Sequence, residues 1–93
     1  MSEQKVQKKI LDWLTKNGFY SIKTIVSNKK GVPDIIACTP NGEFLAIEVK
    51  FGANKASKLQ EYNIQQIKNR KGYALVCWDL EQLITYLRKE KVI

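Results

Sequence analysis

The segment Gly31–Lys50, GVPDIIACTPNGEFLAIEVK, leaves the chain few folds to choose from. Two apolar runs flank Thr39-Pro40-Asn41-Gly42-Glu43, where Pro supplies a preset φ, Asn a turn residue and Gly a left-handed position. That is the chemistry of a three-residue hairpin loop. With Thr39 paired to Glu43, partner numbers sum to 82, so Asp34 lies opposite Glu48 and Val32 opposite Lys50. Directly opposed side chains share a face with Cβ atoms ~4.5–5.5 Å apart, and like charges set so repel. Two carboxylates at the end of an otherwise apolar hairpin require a compensating cation. A two-residue Asn-Gly loop would slip the register by one and turn the carboxylates to opposite faces.

A chain of 93 residues, 44% of them apolar, is expected to form one domain, 1–93, around a single core. No run nears ~18 apolar residues, and the N-terminal MSEQKVQKK lacks the apolar centre of a signal peptide, so a cytoplasmic protein without a membrane partner is expected. Cys38 and Cys77 both fall in strand-like apolar runs and read as reduced core residues. There is no histidine, which removes the usual zinc sites and every Ser-His-Asp, Cys-His or His-base mechanism. Chemistry is left to carboxylates, lysine, hydroxyls and a metal; no organic cofactor is expected.

The net charge of +7 is unevenly spread. Residues 1–30 carry seven Lys against Glu3 and Asp12, and residues 55–71 carry five basic groups against Glu61. Between them, residues 31–54 hold Asp34, Glu43 and Glu48 against Lys50 alone. A basic surface by itself means solubility as often as nucleic acid. An acidic island between two basic segments fits a metal site on a face that binds a polyanion.

Residues 3–16 read as an amphipathic helix, capped by Ser2, stopped by Gly18, with Val6, Ile10, Trp13 and Leu14 inward. Glu3 is a first-turn acid favoured by the helix dipole, and could also reach the site from the side. Residues 19–27 alternate like a strand, 32–38 and 43–51 are the hairpin strands, and Gly72–Trp78 is a buried strand of the parallel kind. In the second hairpin strand Leu45, Ile47, Val49 and Phe51 face one way, and Phe44, Ala46, Glu48 and Lys50 the other. Both faces begin apolar, which predicts a sheet covered on both sides. A helix from Asn54 or Ser57 to about Arg70 turns Gln60 toward the strand end that holds Glu48. Asp79 caps a last helix, with Gln82 at the capping-box position. The Trp and Tyr residues read as core or rim, with stacking of Tyr62 or Tyr73 on a base the weaker alternative. The fold class is α/β, a small mixed sheet flanked by helices in the order α-β-β-β-α-β-α.

Asp34 and Glu48 form a hard oxygen pocket suited to Mg²⁺ or Mn²⁺. Lys50 lies two residues past Glu48 on the same face, ~6.6 Å along the strand, where its charge can neutralise a phosphate. This suits hydrolysis of a phosphodiester. A lone Glu-x-Lys is ordinarily a surface pair worth ~0–1 kcal/mol. The signal is the combination of Pro33-Asp34, a gap of 48 − 34 = 14 residues, Glu48-x-Lys50, and Gln60 on the following helix.

That combination resembles the PD-(D/E)xK nuclease superfamily, and more closely its virus-type replication-repair branch, VRR-Nuc, whose compact stand-alone members come from phages. The resemblance rests on Gly31-Val32-Pro33-Asp34, Ile47-Glu48-Val49-Lys50, Ser57-Lys58-Leu59-Gln60 and the Gly72 strand, and covers nearly the whole chain; Lys71-Gly72 stands where many members have paired glycines. It implies a restriction-endonuclease-like core. It implies metal binding by Asp34, Glu48 and the Val49 carbonyl, Lys50 as catalytic lysine, Gln60 orienting Lys50 or the water, and Glu3 as a further acid of the site. It also implies a homodimeric endonuclease for branched DNA, a Holliday junction or flap, in recombination, repair or replication. Lys29, Lys30, Lys55, Ser57 and Lys58 are the expected DNA contacts. A non-catalytic DNA-binding accessory module is the alternative, and a restriction-type nuclease of the same fold the third reading.

Overall fold

The hairpin forms in the expected register in a computed structural model, which describes residues 2–93. Thr39 N–H donates to the Glu43 carbonyl at 2.8 Å and Gly42 N–H to the Thr39 carbonyl at 2.9 Å. Gly42 sits at φ +84, the left-handed residue that a three-residue loop requires. Ile35 pairs with Ile47 and Cys38 with Phe44, so partner numbers sum to 82 along the ladder.

Seven elements follow the predicted order: α1 (Glu3–Lys16), β1 (Tyr20–Lys23), β2 (Ile35–Cys38), β3 (Phe44–Val49), α2 (Lys58–Asn69), β4 (Tyr73–Cys77) and α3 (Leu80–Lys89). The sheet order is β1-β2-β3-β4. The first three strands pair antiparallel, and β3 pairs parallel with β4 across the α2 crossover.

Strand alternation divides the apolar residues between two layers. On one face α1 contributes Val6, Ile10 and Leu14, and α3 contributes Leu83 and Leu87. They close over Ile35, Ala37, Leu45, Ile47, Val49, Leu75 and Cys77. Burying each large aliphatic side chain is worth ~1.5–3 kcal/mol, which makes this layer the main source of stability. On the other face α2 lays Ile64 and Ile67 over Ala46 and Ala74, whose small side chains let the helix sit close. Cover on both sides is thus limited to β4 and to β3 beyond its first residue. On the β1–β2 side the α2 face stays open, with Tyr20 74% and Ile22 49% exposed, and Phe44 at the head of β3 48% exposed.

Several expectations are corrected. The strand expected over 19–27 stops at Lys23. The β1–β2 register would next set Ile25 opposite Pro33, which has no N–H to extend the ladder. Ile25 and Val26 are instead 85% and 90% exposed. The second and third strands are shorter than 32–38 and 43–51, and Phe51, beyond β3, is partly exposed. Cys77 is buried as expected, but Cys38 is exposed on the open half of the sheet. Among the described residues no helix is long and apolar enough to cross a membrane.

Candidate active site

Asp34 is fixed from two directions. Its carbonyl accepts from Thr24 N–H at 2.8 Å, while Thr24 Oγ1 lies 2.7 Å from the Pro33 carbonyl and 3.0 Å from that of Asp34. Thr24 therefore pins the neck of the 24–34 loop immediately before the hairpin. On its other side the Asp34 carboxylate accepts from the backbone N–H of Val49 through Oδ2 at 3.0 Å. The next N–H in the chain, that of Lys50 just past β3, donates the opposite way, to the Cys77 carbonyl at 2.9 Å. In a strand the N–H and C=O of one residue point to the same side, so the Val49 carbonyl turns toward Asp34 rather than β4.

Glu48 lies on the α2 face of the sheet, in register opposite Asp34, and is 1% exposed. Its Oε2 accepts from Gln60 Nε2 at 3.1 Å and pairs with Lys50 Nζ at 3.3 Å. Its Oε1 is buried with no hydrogen-bond partner. Burial first, and then the charge of Asp34, push the Glu48 carboxyl up from 4.5 to about 7, against the opposing pull of Lys50. Glu48 thus lies out of water beside the half-buried Asp34, with the Lys50 ammonium as its cationic partner.

Gln60 serves two purposes through one amide. Its Oε1 accepts from Ser57 N–H at 2.8 Å while the Gln60 backbone N–H donates to Ser57 Oγ at 3.1 Å, a capping box that starts α2. Oxygen toward Ser57 leaves the amide –NH₂ facing Glu48. The approach of α2 is set by Gly52 at φ +62 and by Trp78 Nε1, which donates to the Asn54 carbonyl at 3.0 Å.

A divalent cation fits what these residues present. Glu48 Oε1 is an unpartnered buried acceptor, Asp34 Oδ1 is not the atom bonded to Val49, and the Val49 carbonyl faces the same side. Among the described residues no three His, Cys, Asp or Glu side chains gather as a metal cluster. Mg²⁺ commonly takes only one or two carboxylates and completes its shell with water and phosphate oxygens, so two acids and a carbonyl match its needs.

The other expected residues fall as follows. Glu3 is a half-buried first-turn acid of α1 and is not gathered with Asp34 and Glu48 into a three-ligand group. Gln60 meets Glu48, not Lys50. Lys29, Lys30, Lys55 and Lys58 are exposed, the first two in the loop docked on α2 through Asn63 Nδ2, which donates to the Lys30 carbonyl at 3.2 Å. Ser57 is engaged as the α2 N-cap. Thr24 was not legible as a site residue, because its role depends on which carbonyls the loop neck brings to it. The Gln60 capping role was missed, although Ser57-x-x-Gln60 is the capping-box pattern itself.

A family model described as the VRR-NUC domain matches residues 1–78. Two solved structures are similar across nearly the whole chain. One, described as a VRR_NUC domain, superposes with TM-score 0.80 at 22% identity, covering 92% of this chain and 94% of that one. The other, a VRR_NUC domain protein, gives TM-score 0.75 at 20% identity over 96% and 87%. No curated protein sequence matches the chain.

Proposed function

The chain belongs to the VRR-NUC domain family, and on that premise we propose that it is a Mg²⁺- or Mn²⁺-dependent endodeoxyribonuclease acting on branched DNA. The observation that carries the reading is Glu48 Oε1, a buried carboxylate oxygen with no partner, set beside Asp34. Asp34, Glu48 and the Val49 carbonyl would hold the cation, which when bound polarises a phosphodiester oxygen and makes water a better nucleophile.

The chain's own groups divide the remaining work. The Val49 N–H keeps Asp34 from rotating away, and Gln60 with Lys50 occupies Glu48 Oε2 so that Oε1 alone is free. Lys50, with a side chain 15% exposed, can shift its ammonium from Glu48 toward a scissile phosphate and offset the charge that builds there. Lys29, Lys30, Lys55 and Lys58 would hold the DNA backbone on either side, as counterion release favours.

Preference for a junction or flap, and action as a homodimer, follow from the likeness of small family members to junction resolvases. The uncovered β1–β2 half of the sheet supports a second copy. Tyr20, Ile22, Ile36 and Phe44 line an apolar hollow of about 220 Å³ beside the free edge of β1, and two copies of that edge can pair antiparallel about a two-fold axis.

Labelled four-way junction, flap, splayed and linear DNA, each incubated with Mg²⁺, Mn²⁺ or chelator, test the reading. Branched DNA should be cut only with metal, and Asp34→Ala should abolish cutting. Linear duplex cut as readily as a junction would remove branch selectivity. DNA binding without metal-dependent cleavage would make the protein an accessory module.

A further inference from the structure

Outside the carboxylate site, the side of α2 facing the Lys29–Gly31 loop carries a second constellation. Lys29, Tyr62, Asn63, Gln66, Ile67 and Arg70 line a groove of about 410 Å³ in which no carboxylate takes part. We propose that this groove binds an unpaired arm of the DNA substrate, with a base stacked on Tyr62 and phosphates on Lys29 and Arg70. The inference deepens the nuclease reading and rests on it for the identity of the polyanion. It assigns the substrate as a branch with a single-stranded arm, a flap or splayed end, in preference to a fully paired junction.

Four observations support it. Tyr62 is 59% exposed, an aromatic ring standing in solvent on a helix whose core side is built from Ile64 and Ile67. Stacking on such a ring requires a base already out of the duplex, and any base will serve. Arg70 is held ready: its Nη1 donates to the Gln66 carbonyl at 3.1 Å and to Gln66 Oε1 at 2.9 Å. Its remaining guanidinium donors stay free for phosphate. The opposite wall is fixed in place. Asn63 Nδ2 donates to the Lys30 carbonyl, and Gly31, at φ +74, approaches α2 so closely that a Cβ there would lie 2.7 Å from Leu59 Cγ. Finally, Tyr62, Gln66 and Arg70 recur every fourth residue along ~12 Å of helix, so they form one stripe on the side of α2 turned away from Gln60. A strand laid along this face passes each of them in turn.

Anisotropy with labelled oligothymidine and labelled duplex in chelator tests the groove without cleavage. Tyr62→Ala should weaken oligothymidine binding at least ~5-fold, Tyr62→Phe should restore it, and duplex affinity should change less than ~2-fold. Arg70→Ala should reduce the salt dependence of oligothymidine binding by about one phosphate contact. With Mn²⁺ added, Tyr62→Ala should also lose the preference of the wild type for flap and splayed DNA over a closed junction. Unchanged oligothymidine binding in Tyr62→Ala overturns the proposal, as does equal loss on duplex or failure of Tyr62→Phe to rescue. The two readings separate cleanly: stacking without any cleavage defeats the nuclease and spares the groove, and cleavage without this binding pattern does the reverse.

Discussion

Replacing Glu48 with Gln should stabilise the metal-free protein at alkaline pH, by an amount set by the position of this carboxyl. Folding raises it from 4.5 to about 7, chiefly through burial and then through Asp34. Between those values the unfolded chain has released the proton while the folded chain keeps it. Stability without metal therefore falls as pH rises through this window. At ~1.4 kcal/mol per pKa unit the loss approaches ~3 kcal/mol above pH 7. Glutamine keeps the shape and an oxygen for Gln60 and Lys50, and its –NH₂ can donate to Asp34 as a protonated Glu48 would. In chelator, Glu48→Gln should thus match the wild type within ~1 kcal/mol near pH 5. Near pH 8 it should exceed the wild type by ~2–3 kcal/mol, or on the order of 10 °C in Tm. Saturating Mn²⁺ should reverse the order at pH 8, since only the wild type gains binding energy. Thermal melts at both pH values, with and without Mn²⁺, supply the comparison. A variant less stable than the wild type at pH 8 in chelator, or a difference independent of pH, would refute the assignment of a strained, cation-seeking carboxylate.

Lys50→Met removes the group that lowers the Glu48 carboxyl, so the pH at which Mn²⁺ binding reaches half-saturation should move upward and cleavage should fall ~10²-fold or more. Thr24→Val deletes the hydroxyl at the neck of the 24–34 loop and should cost ~1–2 kcal/mol in denaturant melts, with weaker Mn²⁺ binding because Asp34 loses its anchor. Gln60→Ala should lower stability by ~1 kcal/mol through the lost cap and should also reduce cleavage, whereas Ser57→Ala should show mainly the stability loss. Ile22→Lys puts a charge on the open face of the sheet and should convert a dimer to a monomer in light scattering; an unchanged mass would move the interface elsewhere.

The hairpin was legible because Pro40-Asn41-Gly42 favours a three-residue loop over a two-residue Asn-Gly one, and loop length specifies which residue faces which. From there Glu48 falls on the α2 face by alternation alone. What could not be seen was the depth at which it lies, because that depends on Ala46 and Ala74 letting α2 settle on the sheet. The end of β1 was misjudged for a similar reason. Residues 24–27 keep a strand-like alternation, but their would-be partner segment contains Pro33, and a strand ends where its neighbour cannot pair. Cys38 alternates with core residues yet is exposed, since the cluster under α2 reaches Ile36 of β2 but not its Cys38 end. Local pattern predicted each element and its facing; the extent of cover belongs to the packed whole.

Single-turnover cleavage of a labelled flap by wild type, Asp34→Asn and Glu48→Gln, over a Mn²⁺ titration at pH 8, addresses the metal-dependent carboxylate pair most directly. The wild type should cut with a rate that saturates in Mn²⁺ and vanishes in chelator, and both variants should lose at least ~10²-fold at every concentration. Cleavage by either variant at the wild-type rate, or wild-type cleavage in chelator, would contradict a metal held by Asp34 and Glu48.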